Sequence, residues 1–262
     1  MAVNVSSFPP YVAVTSCHEG PGADRGRCAF SRERRRWTLQ GDCVLASPLD
    51  LPSNVTLDGG GHVIALTGDA DNFESAAVRA CGGDIINLVV DGSQVTSHEP
   101  TYFAAVALVA PGRISNSTLR NIQFDDVSQT AIGLEVAAFD NVAALVQSVV
   151  LENIAGTGIL LTGDSQVSLK NISSSGVTSA VQVSGSITAN ITGANLEHSH
   201  VGVLAQDQSC VRISACTATG ANVAEDQALI HQGNLTFIGA GQRDAAKRRQ
   251  AEAAAAAQDR LG

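Results

Sequence analysis

The 262-residue chain is short of the residues that most binding and catalytic chemistry uses: it has one tryptophan, two tyrosines and one methionine, aromatics make up 4% and charged residues 16%. With so few long side chains, a helical bundle has little to pack with. Bulk comes instead from Val, Ile, Leu, Ala and Gly, which suits many short strands joined by tight turns. No run of about 18 apolar residues occurs, so no segment is expected to span a membrane. Basic residues are outnumbered: the net charge is −9 and the pI near 5.0, which argues against a nucleic-acid-binding domain. One local exception is "RERRRW", Arg32 to Trp37, which reads first as a solvated basic segment and second as a phosphate-binding patch. Neither Gly-x-Gly-x-x-Gly nor Gly-Lys-Ser/Thr is present. The opening "MAVNVSSFPPYVAV" lacks the basic start, apolar core and cleavage site of a leader. The expectation is an exported protein whose leader has been removed, with an intracellular one as the alternative.

Six cysteines (17, 28, 43, 81, 210 and 216) allow fifteen full pairings. Cys17, Cys28 and Cys43 fall in a loop-rich entry segment where a bridge would restrain the chain. Cys210 and Cys216 flank one strand, ~20 Å apart if extended, and are not expected to pair with each other. Zinc-type spacing is absent. Asn-x-Ser/Thr sequons at Asn4, Asn54, Asn116, Asn171, Asn190 and Asn234 suit an exported protein.

The chain repeats. One block recurs as "AAVRAC", "AAVALV", "TAIGLE", "TGILLT", "SAVQVS", "VGVLAQ" and "QALIHQ", with steps of 28, 26, 27, 22, 22 and 26 residues. A second block lies between: "INLVVDG", "STLRNI", "VVLENI", "VSLKNI", "SITANI" and "VRISAC". Units of this length, made only of strands and turns, cannot each bury an apolar face, so they must stack. Strands pairing in parallel with their counterparts one coil later give a parallel β-helix. Asn121, Asn153, Asn171 and Asn190 are expected to stack as an amide ladder.

"LPSNVTLDGGGHVIAL" followed by recurrent "LxNI" turns resembles the first coil and body of right-handed parallel β-helix proteins with the pectin-lyase-like fold. The resemblance covers about Cys43 to Ile238. It implies an all-β, right-handed parallel β-helix of about eight coils. An N-terminal cap would occupy 1–42, the β-helix 43–240, and a helical tail 241–262, where "DAAKRRQAEAAAAAQDRL" has strong helix propensity. A fold of this kind hosts lyases, epimerases, hydrolases, adhesins and phage spikes, so it implies architecture more than activity. Hydrolase motifs of the Gly-His-Gly and Arg-Ile-Lys type are missing. In the triple glycine, Val55 and Leu57 read as inward, with Gly59 to Gly61 turning a corner.

Three groups could carry chemistry. Aligning the second block places Arg120, Glu152 and Lys170 in one outward column. That column is either a salt-bridge ladder or a catalytic site on an acidic sugar, where Arg120 holds a carboxylate and Lys170 or Arg120 abstracts a proton. Asp125 and Asp126 could bind substrate or, with Asp91 or Glu152, calcium, which is the one cofactor the pattern permits. His198 and His200 in "EHSH" are the general-base candidates by ordinary pKa and otherwise a surface pair. His231 is expected to point inward. In the first block, the outward column reads Arg79, Ala107, Gly133, Leu160, Gln182, Leu204 and Ile230, beside Cys81, Val109, Glu135, Thr162, Ser184, Gln206 and Gln232. This half-apolar face is expected to pack under a loop or against a partner. The leading expectation is a protein that binds or modifies a polysaccharide along the helix side. Its rivals are a non-catalytic structural or assembly subunit and an intracellular small-molecule enzyme.

Overall fold

A computed structural model describes residues 28–97, 102–109, 112–124, 130–139, 143–225, 227–233 and 235–238. They form an all-β parallel β-solenoid of about seven turns, slightly fewer than the repeats suggest, with almost no helix. The tail expected to be helical over 241–262, and Asp125 and Asp126, lie outside the described residues.

Each coil presents three strand faces. The first face starts with Arg36–Leu39, Thr56–Asp58 and Asp84–Ile86 and ends with Thr188–Thr192, Cys210–Ser214 and Leu229–Gln232. On the second, Cys43–Leu45 pairs with Val63–Asp69 and then Val89–Thr96. The third runs from Leu49–Leu51 through Ala76–Cys81, Tyr102–Val109 and Thr130–Ala138 to Ser199–Ala205 and Ala221–Ala224. Long strands such as Ala144–Gly163 bend round the corners and serve all three faces. Antiparallel hairpins close the first face at both ends, where Phe30–Glu33 pairs with Arg36–Leu39 and Leu235–Ile238 with Leu229–Gln232.

Alternation along each strand sends every second side chain inward, and parallel in-register pairing stacks like on like. One inward column is Ile85, Ile114, Val146, Leu169, Ile191 and Ile213. Another is Val78, Val106, Leu134, Ile159, Val181 and Val203, all fully buried. Burial of each such side chain contributes ~1.5–3 kcal/mol relative to exposure. Phe73, Phe103 and Phe124 add bulk to the wider early coils, meeting edge to face with centroids 5.5 and 6.0 Å apart.

The triple glycine is architectural. Val55 and Leu57 are buried, Gly60 and Gly61 have φ of 60° and 79°, and a Cβ on Gly59 would lie 2.4 Å from the Asn87 carbonyl oxygen. Cys28 and Cys43 form a disulfide, Cys81 is also disulfide-bonded, and Cys210 and Cys216 are free thiols.

Several expected registers are corrected. The third-face outward column is Arg79, Ala107, Glu135, Leu160, Gln182, Leu204 and Val223, so Glu135 replaces Gly133. A slip of two residues keeps every side chain on its side of the sheet, so alternation alone does not detect it. Ala107, Glu135, Leu160, Gln182 and Leu204 are all buried within the single chain, in keeping with a packed face. The "QALIHQ" block belongs to the first face, where His231 pairs with Arg212 on the outward side and Ile230 takes the buried position. The asparagine ladder is shorter than expected. Asn153 Nδ2 donates to Asn121 Oδ1 at 3.3 Å, both residues having left-handed backbones at the second corner. Asn171 turns the first corner instead, and Asn190 lies within a strand.

Candidate functional site

At the corner where the third face returns to the first, four successive coils build a shallow cleft of about 440 Å³ lined by Phe139, Thr162, Gly163, Asp164, Ser184, Gly185, Ser186 and Asp207. Its floor is backbone: Asp164 N–H donates to the Ala138 carbonyl at 3.0 Å, Ser186 N–H to Gly163 at 2.8 Å and Gln208 N–H to Gly185 at 3.1 Å. Gly185, at φ 86°, sits so close to the coil beneath that a Cβ would fall 2.3 Å from the Gly163 carbonyl oxygen. Short side chains with polar tips therefore rim the cleft. Asp207 Oδ2 accepts from the Ser184 hydroxyl at 2.6 Å and from Gly185 N–H at 2.7 Å, which orients both the carboxylate and the hydroxyl. Asp164 Oδ1 accepts from the Ser165 hydroxyl at 3.2 Å. Phe139 is 38% exposed, one of two large apolar residues so placed among those described.

Of these residues the sequence pattern marks only Thr162 and Ser184, as part of the half-apolar outward column rather than as a site. The corner repeats "GDS" at 163–165, "SGS" at 184–186 and "QDQS" at 206–209, a signal that reads as ordinary turn chemistry until the coils are stacked.

The outward ladder on the second face is partly as expected. Arg120 pairs in register with Glu152 on one side and Asp91 on the other. Arg120 Nε donates to Asp91 Oδ2 at 2.9 Å, which tethers the guanidinium to a carboxylate on the neighbouring coil. Lys170 is not in this column: Glu152 is followed by Ser175, whereas Lys170 lies on the first face between Gln147 and Thr192. The second-block alignment joined two different faces. Asp91 also accepts from Asn121 at 3.3 Å and from Ser93 N–H at 3.0 Å. Burial alone would raise its pKa, but hydrogen bonds from Ser93, Asn121 and Arg120 together hold it below the ordinary 3.8.

His198 occupies a left-handed corner position and His200 the following strand, both exposed, with buried Ser199 between them. Among the described residues, no group of three or more His, Cys, Asp or Glu is placed to hold a metal ion. Elsewhere, Arg79 is 8% exposed and donates to Asp50 at 2.9 Å and to Glu74 at 3.2 Å. Burial lowers its pKa, yet the two carboxylates more than offset this, leaving the guanidinium above its ordinary range. An amide ladder runs from Thr157 through Gln182 and Gln206 to Glu225, with links of 3.1, 2.8 and 2.8 Å. Among the described residues, no helix is long and apolar enough to cross a membrane. No protein-family model matches the chain, and no curated protein matches it in sequence.

Proposed function

We propose that this protein is glycan-directed and holds a polysaccharide along the third corner, across Phe139, Asp164, Ser184, Ser186 and Asp207. One observation carries the reading: an exposed aromatic ring beside oriented turn hydroxyls and carboxylates that recur from coil to coil. A polysaccharide repeats its hydroxyls along its length as the coils repeat their turns at ~4.8 Å. Aromatic faces take the apolar side of a sugar ring, and carboxylates accept from its hydroxyls. Two carboxylates on the rim favour a neutral glycan there over a uronate, since like charges repel.

The expected mode is binding. Lyase or epimerase chemistry on an acidic sugar at Arg120, Glu152 and Lys170 is the rival. It is disfavoured by the Asp91–Arg120 ion pair and by the separation of Lys170 onto another face. The same pairing suits a non-catalytic assembly subunit, which would bind no glycan at all.

Affinity electrophoresis and titration calorimetry against neutral polysaccharides test the proposal. Phe139→Ala and Asp164→Asn should each weaken binding about tenfold, the loss of one good contact, without changing the melting temperature. Unchanged affinity in both variants would remove the cleft from consideration. Ultraviolet-absorbing unsaturated products from a uronate polymer, abolished by Arg120→Gln, would replace the binding reading with the lyase one.

A further inference from the structure

The amino-terminal hairpin concentrates positive charge on an otherwise acidic chain. Four of the 16 lysines and arginines fall at Arg32, Arg34, Arg35 and Arg36. The strands Phe30–Glu33 and Arg36–Leu39 pair with Glu33 opposite Arg36, leaving Arg34 and Arg35 as a two-residue turn. Two of the four arginines are committed. Arg32 lies 4.4 Å over the Trp37 ring, and Arg36 is ion-paired with Asp58. Arg34 and Arg35 are exposed and make no ion pair among the described residues.

The backbone supplies a second observation. Arg34 has φ 48°, a left-handed conformation that two-residue hairpin turns normally fill with Asn, Asp or Gly. The turn itself requires this backbone, and Arg is a costlier occupant of it than Asn or Gly, a choice that a functional demand on the side chain would account for. The anchoring below is firm: Trp37 and Phe30 pack against the core with ring centroids 6.0 Å apart, and Arg36 is fixed by Asp58. The turn thus presents two guanidinium forks from a rigid base.

We infer that this turn is a docking site for an anionic polysaccharide, a polymer bearing carboxylate or sulfate groups, separate from the third-corner cleft. Guanidinium forks match such oxyanions bidentately. Charges of the acidic body beyond roughly 8 Å are screened at physiological ionic strength, so the turn acts as a local positive site on a negative protein. Nucleic acid is the poorer occupant. Base stacking needs a free aromatic face, whereas Trp37 is covered by Arg32 and packed on the core. A duplex also needs an extended basic surface, where here a net charge of −9 surrounds a short turn.

The test uses the full chain with polygalacturonate, a sulfated polysaccharide, neutral dextran and duplex DNA as probes, titrated at about 50 and 200 mM salt. One or both anionic polysaccharides should bind with affinity that falls as salt rises. Arg34→Glu with Arg35→Glu should abolish that binding. Arg34→Asn should weaken it about tenfold while keeping or raising the melting temperature, because Asn tolerates the left-handed backbone. Phe139→Ala should leave it unchanged, so failure of the cleft and failure of the turn are read separately. No anionic polysaccharide binding, binding indifferent to the arginine variants, or preference for DNA would each overturn the inference.

Discussion

Asp91 is the residue on which the outer ladder of the second face depends. It gathers the Ser93 amide, the Asn121 side chain and the Arg120 guanidinium on one carboxylate that is only 15% exposed. Its pKa is lowered in the folded protein, so the native state prefers it ionised. The stability it contributes is complete above the unfolded value near 3.8 and is lost as pH falls through the lower folded value. Asp58 is also lowered: Arg36, Asn87 and Gly60 N–H outweigh the opposing effect of burial, so it adds to the same acid limb. Asp91→Asn should therefore cost about 1–2 kcal/mol at pH 7 and show a smaller further loss than the parent below about pH 4. Urea denaturation at several pH values measures both effects. A parallel shift at every pH would show that the charge is not what Asp91 contributes.

At the scale of the element, the corners matter more than the strands. Each straight strand segment is replaceable in kind, an alternating aliphatic run with polar outward partners. Each corner needs a particular backbone. Asn121 and Asn153 meet that need twice over, by accepting φ of 57° and 53° and by linking their side chains across coils. Asn153→Ala should cost about 1–2 kcal/mol, the sum of a left-handed alanine and a lost hydrogen bond. Asn153→Gly should cost less, since glycine takes the conformation freely. Thermal unfolding of the two variants separates the terms, and an equal loss in both would assign the whole effect to the ladder. Corners also explain the register errors of sequence reading. Loop insertions change how many residues separate successive rungs, and a two-residue slip preserves inward and outward faces. Glu135 and Gly133 could therefore exchange places unnoticed. Lys170 was misplaced for a different reason: "VVLENI" and "VSLKNI" look alike but turn different corners.

Over the whole molecule, stability is a sum of rungs, each held by its neighbours, and the ends are the weak points. The disulfide between Cys28 and Cys43 ties the segment preceding the first hairpin to the opening strand of the second face, closing a loop with a separation of 15 residues. Cys28→Ser with Cys43→Ser should lower stability by about 2–4 kcal/mol. Hydrogen exchange should show the loss first in Arg36–Leu39 and Cys43–Leu45, with the central coils protected. Uniform loss across all coils would mean that the solenoid unfolds as one unit. The two proposed ligand sites also belong to this scale. One lies at a corner shared by four coils and the other on the entry hairpin, so each can be altered without disturbing the aliphatic columns.

The amino-acid sequence by itself determined the class of fold. Recurring Val, Ile and Leu at strand alternation, separated by Gly and Asn turns, have one economical solution, which is parallel stacking, and the triple glycine turns a corner between its first and second faces. Only the tertiary structure decided which outward residues meet. Side-chain period tells inside from outside, but neighbours across coils are set by loop lengths and corner geometry, and these vary from turn to turn. For that reason Arg120 found Asp91 and lost Lys170, while Phe139, Asp164, Ser184 and Asp207, unremarkable along the chain, became neighbours only when four coils were stacked.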